Sequence, residues 1–133
     1  MNNLPEQPAN QDKPLVGIVG VCASGKSTLI AGLEAHGIRT RHIAQEHSYV
    51  KDMWKRITNP DILIFLDASY PVTLKRRQFN WTEEDWAEQQ RRLIHARLCA
   101  NLYVNTDELS IEQVMKIVIT FIESDSKQPG SHA

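Results

Sequence analysis

The chain has little that would staple, anchor or polarise it. Only two cysteines, Cys22 and Cys99, occur among 133 residues, so a disulfide framework is excluded, and no Cys/His run has zinc-ligand spacing. No apolar run approaches the ~20 residues that a bilayer span needs, so no membrane partner is expected. Fifteen Lys and Arg against sixteen Asp and Glu leave a formal net charge of −1. Without a global basic field, nucleic acid is an unlikely partner, although Arg39, Arg41 and His42 could form a local basic strip. The opening MNNLPEQPANQDKP is polar, with three prolines and no apolar core of a signal peptide. Residues 1–13 and 125–133 therefore read as disordered tails, and the chain reads as cytoplasmic.

Between the tails, 14–124 alternates strand-like and helix-like pattern. Short β-branched or apolar runs at 15–19, 40–44, 62–66 and 102–104 have the character of buried parallel strands. Helices are expected from Lys26 to a stop at Gly37, and after Ser48 with Val50, Met53, Trp54 and Ile57 on one face. Further helices are expected after Ser69, from Thr82 to about Ala100, and from Ser110 to about Glu123. TEED at Thr82 and Ser110 with Gln113 have capping-box spacing. Alternation of this kind implies an α/β domain: a short parallel sheet in a three-layer α/β/α sandwich.

Glycine is also scarce, at six residues, yet two of the six fall at fixed positions of GVCASGKS, residues 20–27. The segment matches G-x-x-x-x-G-K-[ST] throughout and sits between a strand and a helix, as that motif requires. Chance occurrence in such a chain is below about one in a hundred at ordinary glycine usage. Gly20, Cys22, Ala23, Ser24, Gly25 and Thr28 would turn backbone N–H groups toward an anion at the helix N-terminus. Lys26 would reach the β/γ-phosphates, and the Ser27 hydroxyl would ligate Mg²⁺. The bland alternative is a glycine turn with an exposed lysine.

This segment resembles the phosphate-binding loop of the P-loop NTPase superfamily, and ASGKST resembles the form found in its kinases. D-x-x-G and N-K-x-D, expected of GTPases, are absent, as are the second carboxylate of motor ATPases after Asp67 and the L-S-G-G-Q of transporters. DILIFLDASYPVTLKRR is similar to the strand and helix before the lid of adenylate, adenylylsulfate and dephospho-coenzyme A kinases, and NLYVNTDELSIEQVMKIVITFIE to their last strand and helix. The resemblance implies ATP and Mg²⁺ as cofactors, γ-phosphoryl transfer to an unidentified small-molecule acceptor, Arg76 against the adenine, and Asn105 at the nucleotide. Against it stand four strands rather than five, a short lid at 78–82 and little room for an acceptor-binding insert.

Other candidates each carry two readings. Glu46 and His47, at a strand's carboxyl end, either face the crevice as base or metal carboxylate, or lie in solvent while Ser48 caps a helix. Asp67 is either a carboxylate near Mg²⁺ or a helix cap, and in the second case Glu46 takes the metal role. Of Arg76, Arg77, Arg91, Arg92 and Arg97, which surround the lid, one or two would face phosphate; the bland alternative is a solvated helix face paired with Glu83, Glu84, Asp85 and Glu88. Trp54 reads as core; Trp81 and Trp86 either pack or shield the site. Two functions stay open: a small-molecule or nucleotide kinase with Lys26, Glu46 and Arg76 as catalytic residues, or a non-catalytic module that senses ATP and ADP.

Overall fold

A computed structural model describes residues 13–77 and 80–126. The tail expectations for 1–12 and 127–133, and the lid residues Gln78 and Phe79, lie outside them. Four strands, β1 (Leu15–Gly20), β2 (Arg39–His42), β3 (Ile62–Asp67) and β4 (Leu102–Asn105), form one parallel sheet in the order β2-β1-β3-β4. Among the described residues, six helices connect and flank them: α1 (Lys26–Ala35), α2 (Met53–Ile57), α3 (Tyr70–Arg77), α4 (Glu83–Arg92), α5 (Ile94–Cys99) and α6 (Ile111–Ser126).

Period-two alternation divides each central strand between two cores. Val16, Ile18, Ile62, Ile64 and Leu66 face Leu29 and Leu33 of α1 and Val114, Val118 and Ile122 of α6. Val19, Leu63 and Phe65 face the other way, onto Trp54 of α2, Leu93, and Ala96 of α5. Both faces of β3 are thus covered, which accounts for its unbroken apolar run. The chain is an α/β domain whose layers are helix, sheet and helix. No helix among the described residues is long and apolar enough to cross a membrane.

Several boundaries differ from expectation, each for a local reason. The strand read at 40–44 ends at His42, and 45–47 form a single 3₁₀ turn. The helix expected after Ser48 is only Met53–Ile57, because the buried Gln45 amide occupies backbone groups that a longer helix would pair. Its Nε2 donates to Val50 O at 2.8 Å, and its Oε1 accepts from Trp54 N at 2.7 Å. Ile57 remains 76% exposed, so the expected apolar stripe reaches the core only through Trp54. The helix expected from Thr82 to Ala100 is interrupted at Leu93, whose φ of −98° and ψ of 0° let its side chain bury completely between α4 and α5. The last helix runs through Asp125 and Ser126, which had been expected in the tail.

The predicted caps form. Thr82 Oγ1 accepts from Asp85 N at 3.0 Å while Asp85 Oδ2 accepts from Thr82 N at 3.1 Å. Ser110 and Gln113 make the corresponding exchange. At the end of α1, Gly37 has φ 79°, with Ile38 N bonded to Leu33 O and Gly37 N to Glu34 O, a Schellman termination.

Gly20 and Gly37 are glycines for different reasons, which makes a test. A Cβ at Gly37 would meet no atom within 4 Å, so Gly37→Ala carries only left-handed strain, about 1–2 kcal/mol. A Cβ at Gly20 would lie 2.1 Å from Leu66 O, on the neighbouring strand. Urea unfolding should therefore show Gly20→Ala as the more destabilised variant, and the reverse order would contradict the close approach of the loop to β3.

Candidate functional site

The site is built on the turn from β1 into α1, residues 20–28. The chain leaves β1 toward β2 on one side and leaves the neighbouring β3 toward β4 on the other, so a crevice opens beyond the carboxyl ends of β1 and β3. Gly20 (φ 155°), Ala23 (φ 64°) and Gly25 (φ 105°) all adopt positive φ, and Ser24 N bonds back to Val21 O at 3.2 Å. The loop curls over the start of α1, whose first residue follows Gly25 with no side-chain cap. The first-turn N–H groups of a helix lack intrahelical partners and carry its positive dipole end. A Cβ at Gly25 would meet nothing within 4 Å, so the backbone there faces open space. Such a concavity of amides suits an anion.

Lys26 begins the helix, yet its ammonium is turned back under the loop. Nζ donates to Gly20 O at 2.6 Å and Val21 O at 3.0 Å, and pairs with Glu46 Oε2 at 3.1 Å. The side chains of Lys26 and Glu46 are only 6% and 3% exposed. Glu46 reaches this position from the 3₁₀ turn after β2, which the Gln45 bonds hold in place. It is not in solvent, contrary to one of its two readings. Glu46 Oε1 is buried with no hydrogen-bond partner among the described residues, as is Ser24 Oγ. A buried acceptor left open is costly unless something else satisfies it. His47, by contrast, is exposed, with Nε2 3.7 Å from Glu46 Oε2.

Two clefts flank the loop. The smaller, about 350 Å³, is lined by Gly25, Lys26, Ser27, Glu46, His47 and Arg77 among others. The larger, about 380 Å³, lies on the other side of the loop between Ser24, Thr28, Arg76, Thr106, Leu109 and Val114. Arg76 forms part of its wall: Nη1 donates to Ala23 O at 2.9 Å and Thr106 Oγ1 at 3.1 Å, and Nη2 to Thr106 O at 2.8 Å. Three of its five N–H donors thus tie the guanidinium to the loop and to the end of β4. Arg77, of the five candidate arginines, is the one lining the smaller cleft.

The other sequence candidates lie elsewhere. The Asp67 carboxylate is engaged elsewhere: Oδ1 accepts from Ala68 N and Gln90 Nε2, both within 2.9 Å, and Oδ2 from Tyr103 OH at 2.6 Å. It neither joins Ser27 and Glu46 nor caps α3, where Thr73 N bonds to Ser69 O. Burial, reinforced by that carboxylate, raises the Tyr103 phenol above its usual pKa. Asn105 is exposed and accepts from Asp107 N at 2.9 Å; the neighbour that reaches the larger cleft is Thr106. Arg91 and Arg92 both pair with Glu88, and Arg97 lies 3.7 Å from Asp67. Hydrogen bonds from Arg91 foremost hold the half-buried Glu88 carboxyl below its ordinary pKa. Trp81 and Trp86 serve packing, their indole N–H groups bonded to Thr73 Oγ1 and Ala68 O.

Two contributors were missed from sequence. Thr106 Oγ1 donates to Ser24 O at 3.0 Å, tying the end of β4 to the loop. Gln89 Oε1 accepts from Cys22 N at 2.9 Å, holding the loop from α4. Thr106 follows a strand's carboxyl end, a position that could have flagged it; nothing local marks Gln89. No protein-family model and no curated protein matches the chain.

If Lys26 and Glu46 act as one unit, their substitutions should not add. A double-mutant cycle with Lys26→Met and Glu46→Gln, read by urea unfolding without ligand, should give a favourable coupling of about 1–3 kcal/mol. Additive effects would mean that the ion pair contributes nothing to the empty loop.

Proposed function

We propose that the protein binds ATP with Mg²⁺ through the loop at 20–28 and transfers the γ-phosphoryl group to a small acceptor, as P-loop kinases do. The observation carrying this reading is the buried Lys26 ammonium at the floor of an amide-lined turn, with Glu46 against it. Phosphate oxygens would replace the Gly20 and Val21 carbonyls as acceptors from Lys26, a charge-assisted exchange. The larger cleft, with apolar Leu109 and Val114 and the Arg76 guanidinium, suits a purine ring. The smaller cleft is where the acceptor would approach.

The Ser27 hydroxyl and the Glu46 carboxylate, with Oε1 open, are hard oxygen donors that fit Mg²⁺ shared with phosphates. When bound, that ion would neutralise charge on the transferring group. Glu46 Oε1 is also the atom able to take a proton from an acceptor hydroxyl, while Oε2 stays on Lys26. Arg77 borders the same cleft and can hold an anionic acceptor there.

A second reading is a module that senses ATP and ADP without transfer. Its support is the connection between β2 and β3, where a single five-residue helix leaves little for an acceptor-binding insert.

Calorimetric titration with Mg²⁺–ATP tests the shared claim. Lys26→Ala should weaken binding at least tenfold, about 1.4 kcal/mol, and equal affinities would overturn the assignment. Glu46→Gln separates the readings. Binding should persist while phosphoryl transfer or slow hydrolysis falls roughly 10²–10⁴-fold, the worth of a positioned base. A wild type inert toward nucleotide, sugar and sulfonucleotide acceptors, but binding ATP, would leave the sensing module.

A further inference from the structure

The loop cysteine gains neighbours that its sequence position did not suggest. Cys22 Sγ lies 4.0 Å from His47 Nε2, and His47 Nε2 lies 3.7 Å from Glu46 Oε2. One donor atom from each of Cys22, Glu46 and His47 falls within 4.8 Å of the other two. Zinc bonds of ~2.3 Å to sulfur and ~2.0 Å to nitrogen or oxygen, at tetrahedral angles, set donor atoms ~3.3–3.6 Å apart. Two edges of the triangle are therefore within about half an ångström of closing around one cation.

We propose that Cys22, Glu46 and His47 form a binding site for a soft or borderline divalent cation of the zinc class. The donor set carries the choice of metal: a thiolate and an imidazole select zinc-like ions over Mg²⁺ or Ca²⁺, which prefer all-oxygen shells. A second observation points the same way. Glu46 Oε2 is the oxygen that faces His47, and Lys26, which shares it, keeps the Gly20 and Val21 carbonyls as acceptors when that oxygen turns to an ion. Oε1 is buried with no hydrogen-bond partner among the described residues, so no bond there ties the carboxylate down. Gln89 fixes the thiol from behind, its Nε2 donating to Sγ at 3.2 Å and its Oε1 holding the Cys22 amide. Hydrogen bonds of this kind orient ligands at metal sites. His47 is exposed on its 3₁₀ turn, which gives the ion a route in and leaves a fourth position for water. On binding, the thiol releases its proton to solvent and the imidazole binds in its neutral form. Sequence spacing hid the site because its ligands come from two loops 24 and 25 residues apart.

Cobalt(II) titration of the full chain, without nucleotide, tests this independently of ATP binding. Wild type should develop a near-ultraviolet thiolate-to-cobalt charge-transfer band saturating at one equivalent, which zinc removes. Cys22→Ser should abolish the band and Cys99→Ser should keep it, since Cys99 has its own histidine neighbour, His95, at 3.8 Å. His47→Gln, which leaves the thiol in place, should weaken cobalt binding at least tenfold. A wild type without the band, a band that survives Cys22→Ser, or unchanged affinity in His47→Gln would each overturn the site.

Discussion

A buried ammonium sets the terms for everything around the loop. Lys26 cannot leave solvent without acceptors, since an isolated charge in a protein interior is strongly unfavourable. Two backbone carbonyls and one carboxylate supply them. Gly20 must therefore pass within contact of Leu66, where no side chain fits, so that its carbonyl faces inward. Glu46 must be carried below the loop, and the Gln45 amide does this by stopping α2 short and holding the 3₁₀ turn. The far side is closed by Thr106 and Arg76, both bonded to loop carbonyls. Five segments distant in sequence thus converge on one positive charge.

This arrangement gives the proposed function its physical content. The ammonium is held ready but not exposed, so an incoming anion competes with the protein's own acceptors and not with bulk water. Such preorganisation lowers the cost of assembling the site at the moment of binding. Glu46 then has two separable oxygens, one engaged with Lys26 and one open. The proposed base uses the open oxygen and the inferred zinc-class site the one that faces His47, so both draw on a single carboxylate, and Cys22 and His47 decide which kind of ligand the smaller cleft can hold.

Much of the architecture was legible in the sequence because it rests on local signals. Short β-branched runs marked all four strands, Gly37 marked the end of α1, and Thr82 and Ser110 marked the starts of α4 and α6. The motif at 20–27 marked the turn, and Glu46 was singled out as a strand-end carboxylate. What could not be read depends on contacts made only after folding. The truncation of α2 follows from a side chain outside that helix, and the break at Leu93 from burial between layers. Asp67 could be read by position as a metal carboxylate or a helix cap, whereas its partners Gln90 and Tyr103 lie 23 and 36 residues away and could not be read at all. Asn105 ends β4 exposed, while Thr106, the first residue past the strand, lines the larger cleft.

The proposed phosphate grip is tested most directly by a crystal structure with Mg²⁺ and a non-hydrolysable ATP analogue. Lys26 Nζ should then have given up at least one of its loop carbonyls for a phosphate oxygen, with the Gly25 to Ser27 amides enclosing the phosphates and the base against Arg76. An analogue bound elsewhere, with Lys26 still on Gly20, Val21 and Glu46, would contradict it.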